Sequence, residues 1–207
     1  MSTIPLNLDT DFVVLPDPGP EPGASLRMAL QQRQSTRRFL PDPLSLQALS
    51  ALLWSAFGVN RPAQGGRTAP SAHNWQEIDI YTVVAEGTYH YDAPSRRLML
   101  TKAEDLRALT GTQDFVASAP LNLVYVADFA RMPEARDDEE RAFLAGADAG
   151  CIAQNVYLHA AAAGLGTVVR GLIDRRRLAL ALGLRPRQRI ALAQSVGIAV
   201  DAGAATA

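Results

Sequence analysis

The sequence predicts a single α+β domain, and three stretches carry that expectation. Ile78–Val84 alternates in polarity and is rich in branched residues. With the turn signal Glu86-Gly87-Thr88 and a return over 89–91, it reads as a β-hairpin. Residues 120–127 are a continuous apolar run bounded by polar residues, the pattern of a central, buried strand. Residues 137–163 read as one long helix, with four acids at its positive N-terminal end and Gly164 at its stop. At 207 residues and 48% apolar, the chain is long enough for one domain with a substantial core.

The remaining elements follow in chain order. Residues 1–23 are rich in Pro, Asp and Gly without periodicity, and are expected to form an extended arm that wraps a neighbour or is partly mobile. The domain proper is taken as 24–207. A short helix is expected over 24–33. Ser45 is placed to cap a second helix, with Leu46, Leu49, Leu52, Leu53 and Phe57 on one face and Gly58 as terminator. Residues 60–66 read as a polar loop, a candidate lid. Residues 97–100 add a short strand and 103–109 a helix. In the long helix, residues 143–156 are apolar or small on nearly every face, which requires burial. Ala142, Ala145, Ala149 and Ala153 form a stripe that a dimer interface would explain. Residues 167–169 form a strand, Asp174 caps a helix over 175–182 that Gly183 ends, and 189–200 is the last strand.

Composition narrows the function. A net charge of −1 gives no reason to expect a nucleic acid or an anionic membrane as partner. No apolar run reaches membrane-spanning length, and the start lacks a basic-then-apolar signal, so a cytoplasmic protein is expected. The one cysteine, Cys151, excludes an internal disulfide, and a buried packing role is expected for it. His73, His90 and His159 lack ligand partners at metal spacing. There is no Rossmann fingerprint.

Two segments carry chemistry. Arg33-Gln34-Ser35-Thr36-Arg37-Arg38-Phe39 offers two arginines at i and i+4 around a hydroxyl, forked donors suited to a phosphate. A solvated basic turn is the plainer reading, with Arg38 facing outward. Thr68-Ala69-Pro70-Ser71-Ala72-His73-Asn74-Trp75-Gln76 is a Pro/Ser-rich loop with amides, suited to a planar hydrogen-bonding ring. Its plainer reading is a helix start capped by Ser71, with a satisfied amide at Asn74. His73 is read as a surface or pocket-wall residue. If it faces the ring, it is a candidate substrate contact or proton donor.

Together the two segments resemble the nitroreductase family of FMN-dependent oxidoreductases, and the likeness runs from about residue 24 to 200. The resemblance implies a mainly antiparallel sheet flanked by helices, in a domain-swapped homodimer with two FMN sites between the subunits. It implies that Arg33, Gln34, Ser35 and Arg37 hold the phosphate. Pro70, Ser71 and Ala72 would come from the other subunit to pack over the ring. Asn74 would bind the ring edge or hold the loop. Gln113 would reach the ribityl chain or ring edge, and Val169, Arg170 and Gly171 would pass along the flavin. Many relatives have a carboxylate where this chain has Arg170, whose charge would favour an electron-rich flavin.

The implied chemistry is ping-pong. NAD(P)H visits transiently, tightly bound FMN takes its hydride at N5, and a small acceptor such as a nitroaromatic or quinone is reduced. Two alternatives stay open: an azoline-oxidase-type dehydrogenase, and a flavin or small-ligand binding protein with little turnover. Many relatives also complete the phosphate site with a cation beyond the last strand. The segment after Val200 has none, which leaves Arg187 or Arg189 as candidates.

Overall fold

The computed structural model describes residues 11–19 and 24–200. In chain order the elements are β1 (Phe12–Val14), α1 (Leu26–Gln32), α2 (Leu46–Phe57), β2 (Val59–Arg61), β3 (Gly66–Arg67), β4 (Ile78–Val84), β5 (Gly87–Asp92), β6 (Arg97–Lys102), β7 (Leu121–Asp128), α3 (Asp138–Ala162), β8 (Gly166–Arg170), α4 (Arg175–Leu182) and β9 (Gln188–Gly197). A seven-stranded sheet runs in the order β1-β6-β5-β4-β7-β9-β8, and every neighbouring pair is antiparallel. This is the α+β architecture expected, a mainly antiparallel sheet with flanking helices.

The sheet sorts its side chains by the two-residue period of a strand. Leu121, Leu123, Tyr125 and Ala127 of β7 face one core, packed with Leu49, Leu52 and Leu53 of α2 and Ala145, Ala149, Ile152, Ala153 and Val156 of α3. Val124 and Val126 face the opposite core, closed by Leu178 and Leu182 of α4 and by Leu106. All eight residues of β7 are buried, as a strand covered on both faces must be. The hairpin β4–β5 closes on Val84 and Gly87, where the turn was expected. Ser45 accepts the Ala48 N–H at 3.1 Å and caps α2. Asp137 caps α3 and Asp174 caps α4 in the same way.

Several expectations change. Residues 12–14 of the arm do not leave the domain. They pair with β6 as an edge strand, and Leu15 is buried in the chain's own core. Residues 1–10 and 20–23 of that arm lie outside the described residues. The 60–66 loop is a small ordered unit, β2 and β3 joined by a 3-10 turn at Pro62–Gln64, rather than a free lid. The helix expected over 103–109 is only a 3-10 turn at Arg107–Leu109. Asp105 accepts both the backbone N–H of Arg107 (3.0 Å) and its guanidinium (2.8 Å), a local pairing that competes with helix. Gly58 ends α2 without a left-handed turn. Its bare Cα is needed because a Cβ there would meet Trp54 at 2.5 Å.

α3 is buried on one side only. Ala145, Ala149 and Ala153 of the small stripe line this chain's own core, where short side chains let the helix lie close to the sheet. The opposite side leaves Phe143, Ala147, Cys151 and Gln154 exposed, with Phe143 at 74%. Cys151 is therefore not a core thiol within one chain. At the other end of the molecule β8 covers only the 193–197 half of β9. Beyond it, Arg175 donates to the carbonyls of Ile190 and Ala191, each at 3.0 Å. No helix of the described residues is long and apolar enough to cross a membrane.

Candidate functional site

The arginine segment leaves α1 at Arg33 and runs extended beside β8. Ser35 makes a parallel bridge to Thr167, and Thr36 N–H donates to Thr167 O at 2.9 Å. This approach needs Gly166, because a Cβ there would sit 2.9 Å from Thr36 Cγ2. Extended backbone alternates its side chains. Gln34 and Thr36 line a cleft of about 210 Å³ against Tyr157, Ala160 and Leu165. Arg33, Ser35 and Arg37 take the alternate positions, so the segment presents Gln34 apart from the other three.

Tyr157 of α3 is the hub of this region. The Val169 N–H donates to its hydroxyl oxygen at 3.0 Å, and the Ser35 hydroxyl lies 2.8 Å away. A phenol has one proton. Its oxygen accepts from Val169 and has a second lone pair, so either hydroxyl of the pair can donate to the other; when Tyr157 donates, the Ser35 O–H is left to serve a ligand. The Arg33 guanidinium lies over the Tyr157 ring, 5.3 Å from its centroid. Among the described residues no acid forms an ion pair with Arg33 or Arg37. Two guanidiniums without ion-pair partners among the described residues and one hydroxyl thus stand at alternate positions of one five-residue stretch.

The 70–76 loop is a different kind of structure. His73, Asn74 and Gln76 all have left-handed backbone, with φ of 50°, 55° and 50°. Ser71 does not cap the 3-10 turn Ala72–Asn74; its oxygen accepts the Gln76 N–H at 3.0 Å and closes the loop on itself. Gln76 ties the base, donating to Gly65 O (2.7 Å) and to Asn74 Oδ1 (3.0 Å) while accepting from Arg67 (2.8 Å). Asn74 therefore serves the loop within the chain. His73 is exposed and stacks on Trp75, with centroids 4.5 Å apart and planes at 19°. Pro70 is exposed, and the loop is anchored by Ala72 N–H donating to Asp148 of α3 at 2.8 Å.

Beneath that anchor lies a carboxyl the sequence did not single out. Glu77 is fully buried, and neither of its carboxyl oxygens receives a hydrogen bond from a donor among the described residues. Burial pushes it up to about 7, with Asp148 facing it and adding to the rise, against the opposing charge of Arg131. Arg131 does not reach the carboxyl. Its guanidinium donates to the backbone carbonyls of Gln76 and Glu77 and pairs with Asp79.

The third region divides. Val169 packs toward α3, whereas the Arg170 side chain enters the opposite side of the sheet. There it is 3% exposed and donates to Thr110 O (2.7 Å), Thr110 Oγ1 (3.3 Å) and Asn122 Oδ1 (2.8 Å). Burial lowers it to about 10. The charge expected beside a ring is thus held on the far side, and only the backbone of 169–171 remains for a ligand on the α3 side. Gln113 lies at the start of the turn Asp114–Val116, its side-chain oxygen buried with no donor among the described residues. Arg187 and Arg189 do not complete the arginine segment within one chain. Both lie over Phe129, and Arg189 is seven residues along β9 from Val196, the partner of Thr167. That is about 23 Å of strand.

The two main segments do not meet in one chain. Asp148 and Tyr157, their anchors on α3, are nine residues apart. Helix geometry puts them about 13 Å apart along the axis and about 180° around it. Tyr157, Asp148 and Glu77 escaped the sequence reading. The only signal available was an acid standing in the small, apolar middle of a long helix.

The model of the nitroreductase family matches residues 30–198. A curated relative from Methanocaldococcus jannaschii that carries a nitroreductase name is 33% identical over 174 residues, covering 79% of this chain and 85% of its own. A crystal structure from Ralstonia eutropha JMP134, whose protein carries the same name, superposes with a TM-score of 0.87 at 44% identity, covering 93% and 91% of the two chains. A Desulfovibrio desulfuricans structure in complex with FMN shares the fold, with a TM-score of 0.63 at 22% identity over 86% of this chain and 88% of its own. The match across most of the chain, with the antiparallel sheet and the arginine and Pro-Ser segments in order along it, places this protein in the nitroreductase family.

Proposed function

We propose that this chain is an FMN-dependent oxidoreductase that works as a homodimer, taking electrons from NAD(P)H and passing them to a small acceptor such as a nitroaromatic or quinone. The observation that carries this reading is the Arg33–Ser35–Arg37 segment, with two guanidiniums that form no ion pair among the described residues and a hydroxyl held between them by Tyr157. Such a set suits a dianionic phosphate monoester. The FMN complex of the Desulfovibrio relative makes a flavin phosphate the natural candidate.

Bound flavin would supply hydride transfer in both half-reactions. The chain's part is to bind and orient. Arg33, Ser35 and Arg37 hold the phosphate, and the backbone of 169–171 lies next to the same Tyr157 hub. The 70–76 loop is held rigid by its own hydrogen bonds and offers Pro70, Ser71 and Ala72 as a wall. Because its anchor is on the opposite side of α3, a second copy has to bring this loop to the first copy's arginines. The exposed Phe143, Ala147, Cys151 and Gln154 on α3 give that second copy a surface. His73 stands free to touch a substrate.

The test is the visible spectrum of the purified protein, followed by NADH or NADPH without oxygen. A flavin spectrum that bleaches establishes the reductive half-reaction, and an acceptor screen then finds the other. Flavin that is held but not reduced would move the reading to a dehydrogenase or a binding protein. A colourless protein that takes up no added FMN would overturn it.

A further inference from the structure

We propose that Glu77 is a positioning residue: it shares one proton with Asp148, and that proton fixes the carboxylate that grips Ala72 and so sets the shape of the 70–76 loop. The inference rests on the flavin reading only in giving that loop a ligand to meet.

The geometry is a relay of three groups. Ala72 N–H donates to Asp148 Oδ2 at 2.8 Å. Asp148 is 8% exposed and Glu77 is fully buried, so both acids have left water. The groups facing Glu77 are Asp148 from α3 and the cation Arg131 from the turn after β7. Arg131 turns its two terminal nitrogens to the carbonyls of Gln76 and Glu77 and to Asp79, and its Nε lies 4.0 Å from Asp128. Neither Glu77 oxygen has a hydrogen-bond partner among the described residues. Two buried carboxylates in contact cannot both stay ionised, so one holds a proton and donates it to the other. Asp148 Oδ2 already serves as an acceptor, for the Ala72 N–H. Glu77 is therefore the acid, and its O–H points at Asp148.

The loop needs such a clamp. Three of its residues have left-handed backbone, a conformation that side-chain-bearing residues adopt at a cost. Ala72 immediately precedes the first of them, so the Asp148 grip ties the start of this strained turn to α3, while Gln76 holds its end. When Glu77 loses its proton, two like charges face each other beneath the loop, and the grip on Ala72 loosens. The wall offered to the flavin would then soften as pH rises.

The experiment follows the Ala72 amide by 15N NMR through a pH titration of the full-length protein, in a His73→Asn background so that the neighbouring imidazole contributes nothing. The amide is expected to shift with one inflection near the Glu77 value of about 7. The inflection should vanish in Glu77→Gln, whose amide donates permanently to Asp148. In Asp148→Asn it should move to lower pH, because the like charge is gone. No inflection, or one unchanged in either variant, overturns the proposal. Flavin affinity is the second readout. In the background protein it should weaken roughly fivefold or more across the inflection and stay flatter in Glu77→Gln. An affinity change equal in both proteins would belong to the flavin phosphate and would sink the positioning role. The amide titration needs no flavin, so its failure is separate from any failure to bind FMN.

Discussion

The Ser35 hydroxyl lies 2.8 Å from the Tyr157 hydroxyl, although 122 positions separate the two residues in the chain. One turn of backbone after α1 is thereby fastened to the long helix, and through Val169 N–H to strand β8. The electrostatics of the arginine segment depend on this link, because it fixes the backbone from which Arg33 and Arg37 project.

Replacing either arginine tests the phosphate reading. A charge-assisted contact contributes roughly 1.5–3 kcal/mol, so Arg33→Ala and Arg37→Ala are each expected to weaken FMN binding about 10–100-fold. Flavin fluorescence titration would measure this. Neither side chain has an ion-pair partner among the described residues, so the thermal midpoint should barely move.

Tyr157→Phe removes the hub and leaves the Val169 N–H without its acceptor. Orphaning a part-buried donor costs about 1–3 kcal/mol. Urea unfolding should show that loss, and FMN affinity should fall with it because Ser35 is no longer oriented. A variant that keeps full stability and affinity would show that the hydroxyl pair is incidental.

Arg170→Met separates stability from binding. It leaves Thr110 O buried without this donor, at about 1–3 kcal/mol, while Asn122 Oδ1 still accepts from the Ser195 hydroxyl at 2.6 Å, and the cost is offset in part by no longer burying a cation. The guanidinium lies on the far side of the sheet, so flavin affinity is expected to change less than about threefold. A large loss of affinity at unchanged stability would place the charge at the flavin after all.

Glu77 gives stability a pH dependence of defined sign. Its folded value, about 7, is above the ordinary 4.5, so between these the folded chain holds a proton that the unfolded chain has released. Stability therefore falls as pH rises through that window, and above it the full cost, on the order of 3 kcal/mol, is present. Urea midpoints should decline from the acid side toward neutral in the wild type. Glu77→Gln should remove that component.

Association is tested at α3. Light scattering should give a dimer, and Ala147→Arg, at an exposed position between Phe143 and Cys151, should shift it toward monomer. If the site needs both copies, the monomeric variant should also lose its flavin.

The fold was legible wherever the pattern was long. The hairpin over 78–91, the β7 run and the capped helices starting at Ser45, Asp137 and Asp174 appear in the sequence because period and cap agree. Short or locally competed segments were not. Asp105 diverts 103–109 from helix through its own side-chain bonds, and an edge strand as short as Phe12–Val14 has too few residues to show a period. The arginine and Pro-Ser segments of the candidate site were visible as motifs. What stayed hidden was the layer that holds them. Tyr157, Asp148 and Glu77 are joined to the motifs only by tertiary packing, and no spacing along the chain encodes that. Arg170 shows the same limit, since a residue's place in a motif does not say to which side of a sheet its side chain turns.

One small contact has a consequence for how the protein behaves in a crowded solution. β8 stops short, and the half of β9 it leaves uncovered would offer bare carbonyls to any passing strand. Arg175 occupies two of them, at Ile190 and Ala191, with a permanently charged side chain. The sheet is thus closed to further growth along that stretch, and a foreign strand would have to displace this guanidinium before it could add. Loss of this single arginine would be felt first as fibre formation or precipitation on standing, long before it was felt in turnover.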